Sequence, residues 1–308
     1  MSVEPFARAQ QAAAPDDLAV PHRKSRRIAG VLFAITLVST TLAGALMAGE
    51  DPFASLAAWA AGLTFSLTLL TILLGHELGH YLTSRRYGVD TSPPYFIPVP
   101  PPLSLIGTFG AFIRMRSPVR TRRALFDIAV AGPWVGFILS IPAIWFGLQW
   151  STVTPRSALA DGIHLQLGDN LFFWAMQHWL LNVPEGAEVV LHPVAFAGWL
   201  GLFVTSLNLL PIGQLDGGHV SYALFGDGHA KVARAMVVAL IVLGVFSSWK
   251  GWIFWAVIVS MLGLRHPPTL DPTPIDPIRR RVGWLTLALF VVAFTPAPFV
   301  IRGLVEQI

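Results

Sequence analysis

Phe53 to Ser84 reads FASLAAWAAGLTFSLTLLTILLGHELGHYLTS, and its last third decides what kind of molecule this is. The run Phe53 to Leu74 is almost wholly apolar, and with the residues after it the stretch is long enough for a helix to cross a bilayer. At its end stands His76-Glu77-Leu78-Gly79-His80, an H-E-x-x-H pattern. On a helix the two histidines fall at i and i+4, on one face, where both ring nitrogens can grip one metal ion. The glutamate between them then acts as general base on water activated by that metal. The bland alternative is a pair of buried, hydrogen-bonded histidines. Ionisable groups inside a span are costly and mark function, which favours the metal reading.

Composition agrees with a membrane setting. Of 308 residues, 54% are hydrophobic and only 12% charged, about half the charged share of a soluble domain. The absence of cysteine excludes disulfides, thiolate metal sites and cysteine nucleophiles. A zinc ion here must be held by His, Asp or Glu. The net charge of +4 fits basic residues flanking membrane spans better than a nucleic-acid partner, and none is expected.

Working outward from Phe53, hydrophobic runs mark an all-α polytopic membrane protein with six or seven transmembrane helices. Residues 1–27 are polar and end in a basic cluster, the pattern of a cytoplasmic tail. Residues 28–264 form the expected membrane-embedded core, and 265–308 a basic cytoplasmic loop with a C-terminal span. The expected spans are Ile28 to Ala48, read as an uncleaved anchor, Phe53 to Ser84, Ala124 to Leu148, and an Asp-bearing span within 192–219 whose apolar part is His192 to Pro211. Lys231 to Ser248 and Trp252 to Leu264 form a hairpin, and Val282 to Ile301 is the last. With seven alternating spans and a cytoplasmic N-terminus, 18 of the 21 Lys and Arg residues face the cytoplasm, as the positive-inside rule expects. Arg156, Lys250 and Arg302 remain outside.

Two connections are more than loops. Residues 91–115, TSPPYFIPVPPPLSLIGTFGAFIRM, are apolar but too rich in Pro and Gly to span as a helix. A small membrane-associated β-hairpin follows, with strand character from Gly107 to Met115. On the external side Asn170 to Leu181, NLFFWAMQHWLL, is too short to span and suits an interfacial helix.

A catalytic zinc site needs a third protein ligand, on the same membrane side as His80. The far end of the fourth span supplies Asn208-Leu209-Leu210-Pro211-Ile212-Gly213-Gln214-Leu215-Asp216-Gly217-Gly218-His219, with Asp216 its one carboxylate. The glycines after it would permit a tight turn and close approach to the metal. Asp216 taken alone reads equally as a helix cap, and His219 is an alternative ligand. The only later glutamates, Glu185, Glu188 and Glu306, are expected outside.

These residues together resemble the site-2 protease family of intramembrane zinc metalloproteases, which pairs H-E-x-x-H in one span with N-x-x-P-x-x-x-x-D-G in a later one. Asn208, Pro211, Asp216 and Gly217 stand at that spacing. The segment FIPVPPPLSLIGTFGAFIRMRSP and the stretch AGPWVGF, Ala131 to Phe137, are also similar to family segments. The resemblance implies one zinc ion per chain bound by His76, His80 and Asp216. It implies Glu77 as catalytic base and Asn208 as a group that positions substrate or stabilises the oxyanion, with bracing of the broken helix as the competing role for Asn208. The implied function is hydrolysis of peptide bonds in single-span membrane proteins near the cytoplasmic face. The other class open to the sequence is a zinc-binding transporter or a non-proteolytic membrane chaperone.

Overall fold

The computed structural model describes residues 22–155 and 164–302. Most of the expected 1–27 tail, and Arg156, lie outside the described residues. Three long helices and one short one form the centre: α1 (His22–Met47), α2 (Leu56–Arg86), α3 (Arg122–Gln149) and, in chain order the fifth helix, α5 (Pro193–Asn208). Ser55 starts α2 by accepting the Ala58 N–H, and Thr121 starts α3 by accepting that of Ala124. Small residues let these helices touch backbone to backbone, as helices in lipid do. A Cβ on Gly62 of α2 would lie 2.1 Å from the Thr41 carbonyl oxygen of α1. Beside it Thr40 Oγ1 bonds Ser66 Oγ at 2.5 Å. On the other face, a Cβ on Gly147 of α3 would lie 2.2 Å from the Ala195 nitrogen of α5.

With 16 residues, α5 is about 24 Å long, short of a bilayer core of about 30 Å. It is buried almost all round, through Ala195, Ala197, Trp199, Leu200 and Leu202, so its neighbours shield it from lipid. The chain then breaks over Leu209–Leu215, and Asp216 opens a new helix, α6 (Asp216–Phe225). The expected span over 192–219 is therefore two elements. Pro211 has no N–H to carry a helix onward, and Gly213 takes a positive φ of 56°. A single 3-10 turn, Gly226–Gly228, joins α6 to α7 (His229–Phe246). α8 (Gly251–Leu262) folds back on α7, with Gly244 tight against Ile253.

Among the described residues four stretches are long and apolar enough to cross a membrane: Arg23–Met47, Leu56–Arg86, Arg122–Gln149 and the joined Asp216–Phe246. The expected count of six or seven spans is not confirmed by length and composition, since Pro193–Asn208 and Gly251–Leu262 are shorter apolar helices. The last helix, α9 (Pro277–Ala293), also stops before the expected Ile301. Pro296 and Pro298 follow, and the described residues end in strand β6 (Phe299–Arg302).

The hairpin lies where the sequence places it. β1 (Tyr95–Pro98) pairs antiparallel with β2 (Thr108–Phe112), with a register shift between Phe96 and Pro98. Phe96 is buried against Phe33 of α1, while Leu103, Leu105 and Phe109 at the tip are exposed. At the opposite end, α4 (Leu171–Leu180), capped by Asn170, is a helix where the sequence places one. Phe173 and Met176 face inward, Trp174 and Trp179 outward. Two unexpected sheets flank it: β3 (Thr152–Pro155) pairs with β5 (Ala187–Val190), and β4 (His164–Leu167) pairs with β6.

Candidate metal centre

His76, Glu77 and His80 occupy the C-terminal part of α2 and are all buried. His80 precedes the helix end at Arg86 by six residues, about 9 Å along the axis, so the group sits inside the bundle. Asp216, the first residue of α6, comes to meet it. Its Oδ2 lies 3.1 Å from His80 Nε2 and 3.4 Å from His76 Nε2, and the two histidine Nε2 atoms are 3.1 Å apart. Among the described residues this is the one group of three His, Cys, Asp or Glu side chains able to hold a metal ion.

The orientation of the rings is set from α3. His80 Nδ1–H donates to the Ile128 carbonyl at 2.8 Å, which leaves Nε2 with a bare lone pair aimed at Asp216. A carbonyl bonded to the far nitrogen is the usual support of a metal-binding imidazole. α3 approaches this closely because of Gly132 and Gly136. A Cβ on Gly132 would lie 2.1 Å from His80 Nε2, and one on Gly136 would lie 3.1 Å from His76 Nδ1. Gly79 faces back, where a Cβ would meet the Ala131 carbonyl oxygen at 2.7 Å. The stretch Ala131 to Phe137 is thus the floor under the two histidines. Nothing in the side-chain chemistry of Gly132 and Gly136 reveals that role, but their G-x-x-x-G spacing signals a close helix contact.

Asp216 is held by the broken segment before it. Leu209, Leu210 and Ile212 are buried, and their irregular backbone bonds within itself: Ile212 N–H donates to the Leu210 carbonyl at 2.7 Å and Leu215 N–H to that of Ile212 at 3.2 Å. Gly217 and Gly218 form the first turn of α6, not a tight turn around the metal. They make room for this segment, since a Cβ on Gly217 would lie 1.9 Å from the Leu209 carbonyl oxygen. Asp216 is not the helix cap either; that position is Leu215.

Asn208, the last residue of α5, donates from Nδ2 to His76 Nε2 at 3.2 Å, which puts an amide donor at the centre of the group. On the far side β2 runs beside α2, and the Ile113 amide faces the Glu77 carboxylate. His219 does not join the cluster: its Nδ1 bonds His266 Nε2 at 2.8 Å. The arrangement therefore offers two imidazole nitrogens and one carboxylate oxygen to a cation, with a second carboxylate, Glu77, and an amide donor beside them.

The chain is similar to known proteins. The family model for peptidase family M50 matches residues 64–248. A protein of Arabidopsis thaliana named "Probable zinc metalloprotease EGY2, chloroplastic" is 30% identical over 256 residues, covering 79% of this chain and 43% of the relative. Another from Arabidopsis thaliana, "Probable zinc metalloprotease EGY1, chloroplastic", is 31% identical over 243 residues, covering 77% of this chain and 43% of the relative. The "Probable zinc metalloprotease EGY3, chloroplastic" of Oryza sativa subsp. japonica is 34% identical over 180 residues, 53% of this chain and 29% of that protein. The chain spans less than half the length of these relatives.

Proposed function

The chain belongs to peptidase family M50, the site-2 protease family, and from that premise we propose that it is an intramembrane zinc endopeptidase. It hydrolyses peptide bonds of transmembrane protein substrates near the cytoplasmic face. The observation that carries this reading is the meeting of His76, His80 and Asp216, from two helices far apart in sequence, at one point beside Glu77.

The donor set fits zinc. Two imidazole nitrogens and one carboxylate are a catalytic zinc triad that leaves a coordination position open, and the Ile128 carbonyl already holds the His80 ring in the tautomer a ligand needs. When bound, zinc supplies Lewis acidity, which polarises the scissile carbonyl and makes water a nucleophile near neutral pH. Glu77 takes the proton of the attacking water and returns it to the leaving amine. With zinc on His76 Nε2, the Asn208 amide that donates to that atom here would be released to face the substrate carbonyl as an oxyanion donor.

A peptide bond in a helical span is shielded by its own hydrogen bonds, so the substrate must unwind. Strand β2 supports a way to hold it extended. Consecutive residues of a strand face opposite edges. Arg114 accepts the Ser92 N–H and so faces the β1 side. Ile113 faces Glu77, and Ala111 shares its edge. Among the described strands nothing pairs with that edge, so an unwound substrate adds there as a further strand within reach of the catalytic base. The cytoplasmic placement rests on Arg85 and Arg86, which close α2 on the histidine side.

The experiment is Glu77→Gln in the full chain. Zinc content should stay near one ion per chain while cleavage of a single-span membrane substrate falls by about 10²–10⁴-fold. Cleavage retained at the wild-type rate would reject the mechanism. A zinc transporter, by contrast, would keep moving zinc in this variant.

A further inference from the structure

Of the three ligands, Asp216 alone is not on α2, so its position depends on how α6 is fixed against α2 and α3. One fixing contact is a small apolar cluster, Phe126 and Ala129 of α3 against Val220 and Ala223 of α6. The other is the segment that leaves α8 and runs to the start of α3. Its first anchor is Gly263, whose carbonyl oxygen would lie 2.3 Å from a Cβ on Gly213 in the Asp216 loop. Its last is Asp271, whose N–H donates to the Arg120 carbonyl at 2.9 Å and whose carbonyl accepts from Arg122 N–H at 3.2 Å. From Arg265 to Pro277 the chain reads RHPPTLDPTPIDP, with five prolines, so it has little backbone freedom and acts as a tie.

Between the anchors three histidines interlock, and carbonyl partners fix the direction of every bond. His229 Nδ1–H donates to the Gly226 carbonyl at 2.7 Å, so its Nε2 accepts the His266 backbone N–H at 2.8 Å. His266 Nδ1–H donates to the Pro267 carbonyl at 2.5 Å, so its Nε2 accepts from His219 Nδ1–H at 2.8 Å. His219 lies one turn after Asp216 on α6. Tyr222, a further turn along, stacks on the His266 ring at 4.5 Å between centroids and accepts the Thr269 N–H at 3.2 Å. Arg122 of α3 lies over the other part of this contact, 5.0 Å from the Tyr222 ring centroid. Burial lowers the His266 pKa, which favours the neutral ring these bonds require.

We propose that residues 263–271 are a strap whose His266 is a positioning residue: by gripping His219 and Tyr222 it holds α6, and with it Asp216, at the distance from α2 that the metal needs. This rests on the metal-centre reading above. Hydrogen-bond partners of the ligands themselves contribute about 10–100-fold to metal affinity, and a strap that fixes the helix carrying Asp216 is expected to act within that range.

The test uses the full chain in detergent, with zinc affinity measured against a competing chelator and amide hydrogen exchange measured on the metal-free protein. His266→Ala should weaken zinc binding about 10–100-fold and speed exchange over residues 216–222, leaving exchange in α2, α3 and α5 unchanged. His266→Gln, whose side-chain oxygen can accept the His219 proton, should recover most of both. Leu270→Ala, at an exposed position of the same segment, should change neither. Wild-type affinity and wild-type exchange in His266→Ala would overturn the proposal, as would equal damage from Leu270→Ala. If the wild-type chain binds no zinc, the metal-centre reading fails, while the exchange comparison still decides whether His266 fixes α6.

Discussion

The two halves of the metal centre are built by opposite means. α2 brings His76, Glu77 and His80 from one unbroken helix of 31 residues, where a four-residue spacing alone puts both rings on one face. The other half comes from a break. α5 ends at Asn208, seven residues run irregularly, and Asp216 starts α6. The spacing of the first half along α2 is therefore independent of how the helices pack, although its ring orientations are set from α3, and the position of the second half is set wholly by packing. Damage to the floor should therefore show in the histidine rings, and damage to the strap in the position of Asp216 relative to them.

The largest expected effect comes from the floor between them. Gly132→Ala puts a carbon 2.1 Å from His80 Nε2 and 2.4 Å from Cδ2, so the ring must leave its place. Zinc binding should be largely lost, with about 1–3 kcal/mol of destabilisation from overpacking. Gly75→Ala meets mainly the movable end of Leu139 and should keep zinc. Equal zinc content in the two variants would show that α3 does not seat the histidines.

A smaller effect is expected at the edge of β2 that faces Glu77. Ala111→Pro removes one donor on the edge of β2 that faces Glu77 and leaves the β1 side untouched. The loss of one backbone hydrogen bond, about 1–1.5 kcal/mol, should slow cleavage roughly tenfold with zinc unchanged. An unchanged rate in a steady-state cleavage assay would reject strand addition.

The smallest lies farthest away. Asn170→Ala removes the cap of α4, where Asn170 Oδ1 accepts the Phe173 N–H at 2.9 Å. Thermal unfolding should show a loss of about 1 kcal/mol, with zinc affinity as in the wild type. A drop in zinc affinity would mean that the far end of the molecule couples to the site.

The comparison also separates what the sequence makes legible from what it hides. Local patterns read directly. The H-E-x-x-H spacing puts His76 and His80 together on one face of α2, Pro and Gly mark the hairpin segment, and the short apolar run Asn170 to Leu181 marks α4. Asp216 required a topology count and a resemblance, because its contact with α2 bridges more than a hundred residues. Gly132 and Gly136 carry no functional group, so their part in the site appears only once α2 lies against α3. The clamp at His266 was hidden for the same reason, since its partners sit on α6 and at the start of α7. Hydrophobic runs misjudged lengths where another element covers a helix. α5 can be short because protein surrounds it, and residues 299–302 look like the end of a span but pair with β4.

The central claim is that one zinc ion is shared between α2 and α6, and zinc content of purified Asp216→Ala tests it most directly. Wild type should carry about one zinc per chain, and Asp216→Ala almost none after dialysis against a mild chelator, with its helix content unchanged by circular dichroism. A variant that folds normally and keeps its zinc as tightly as the wild type would contradict the account.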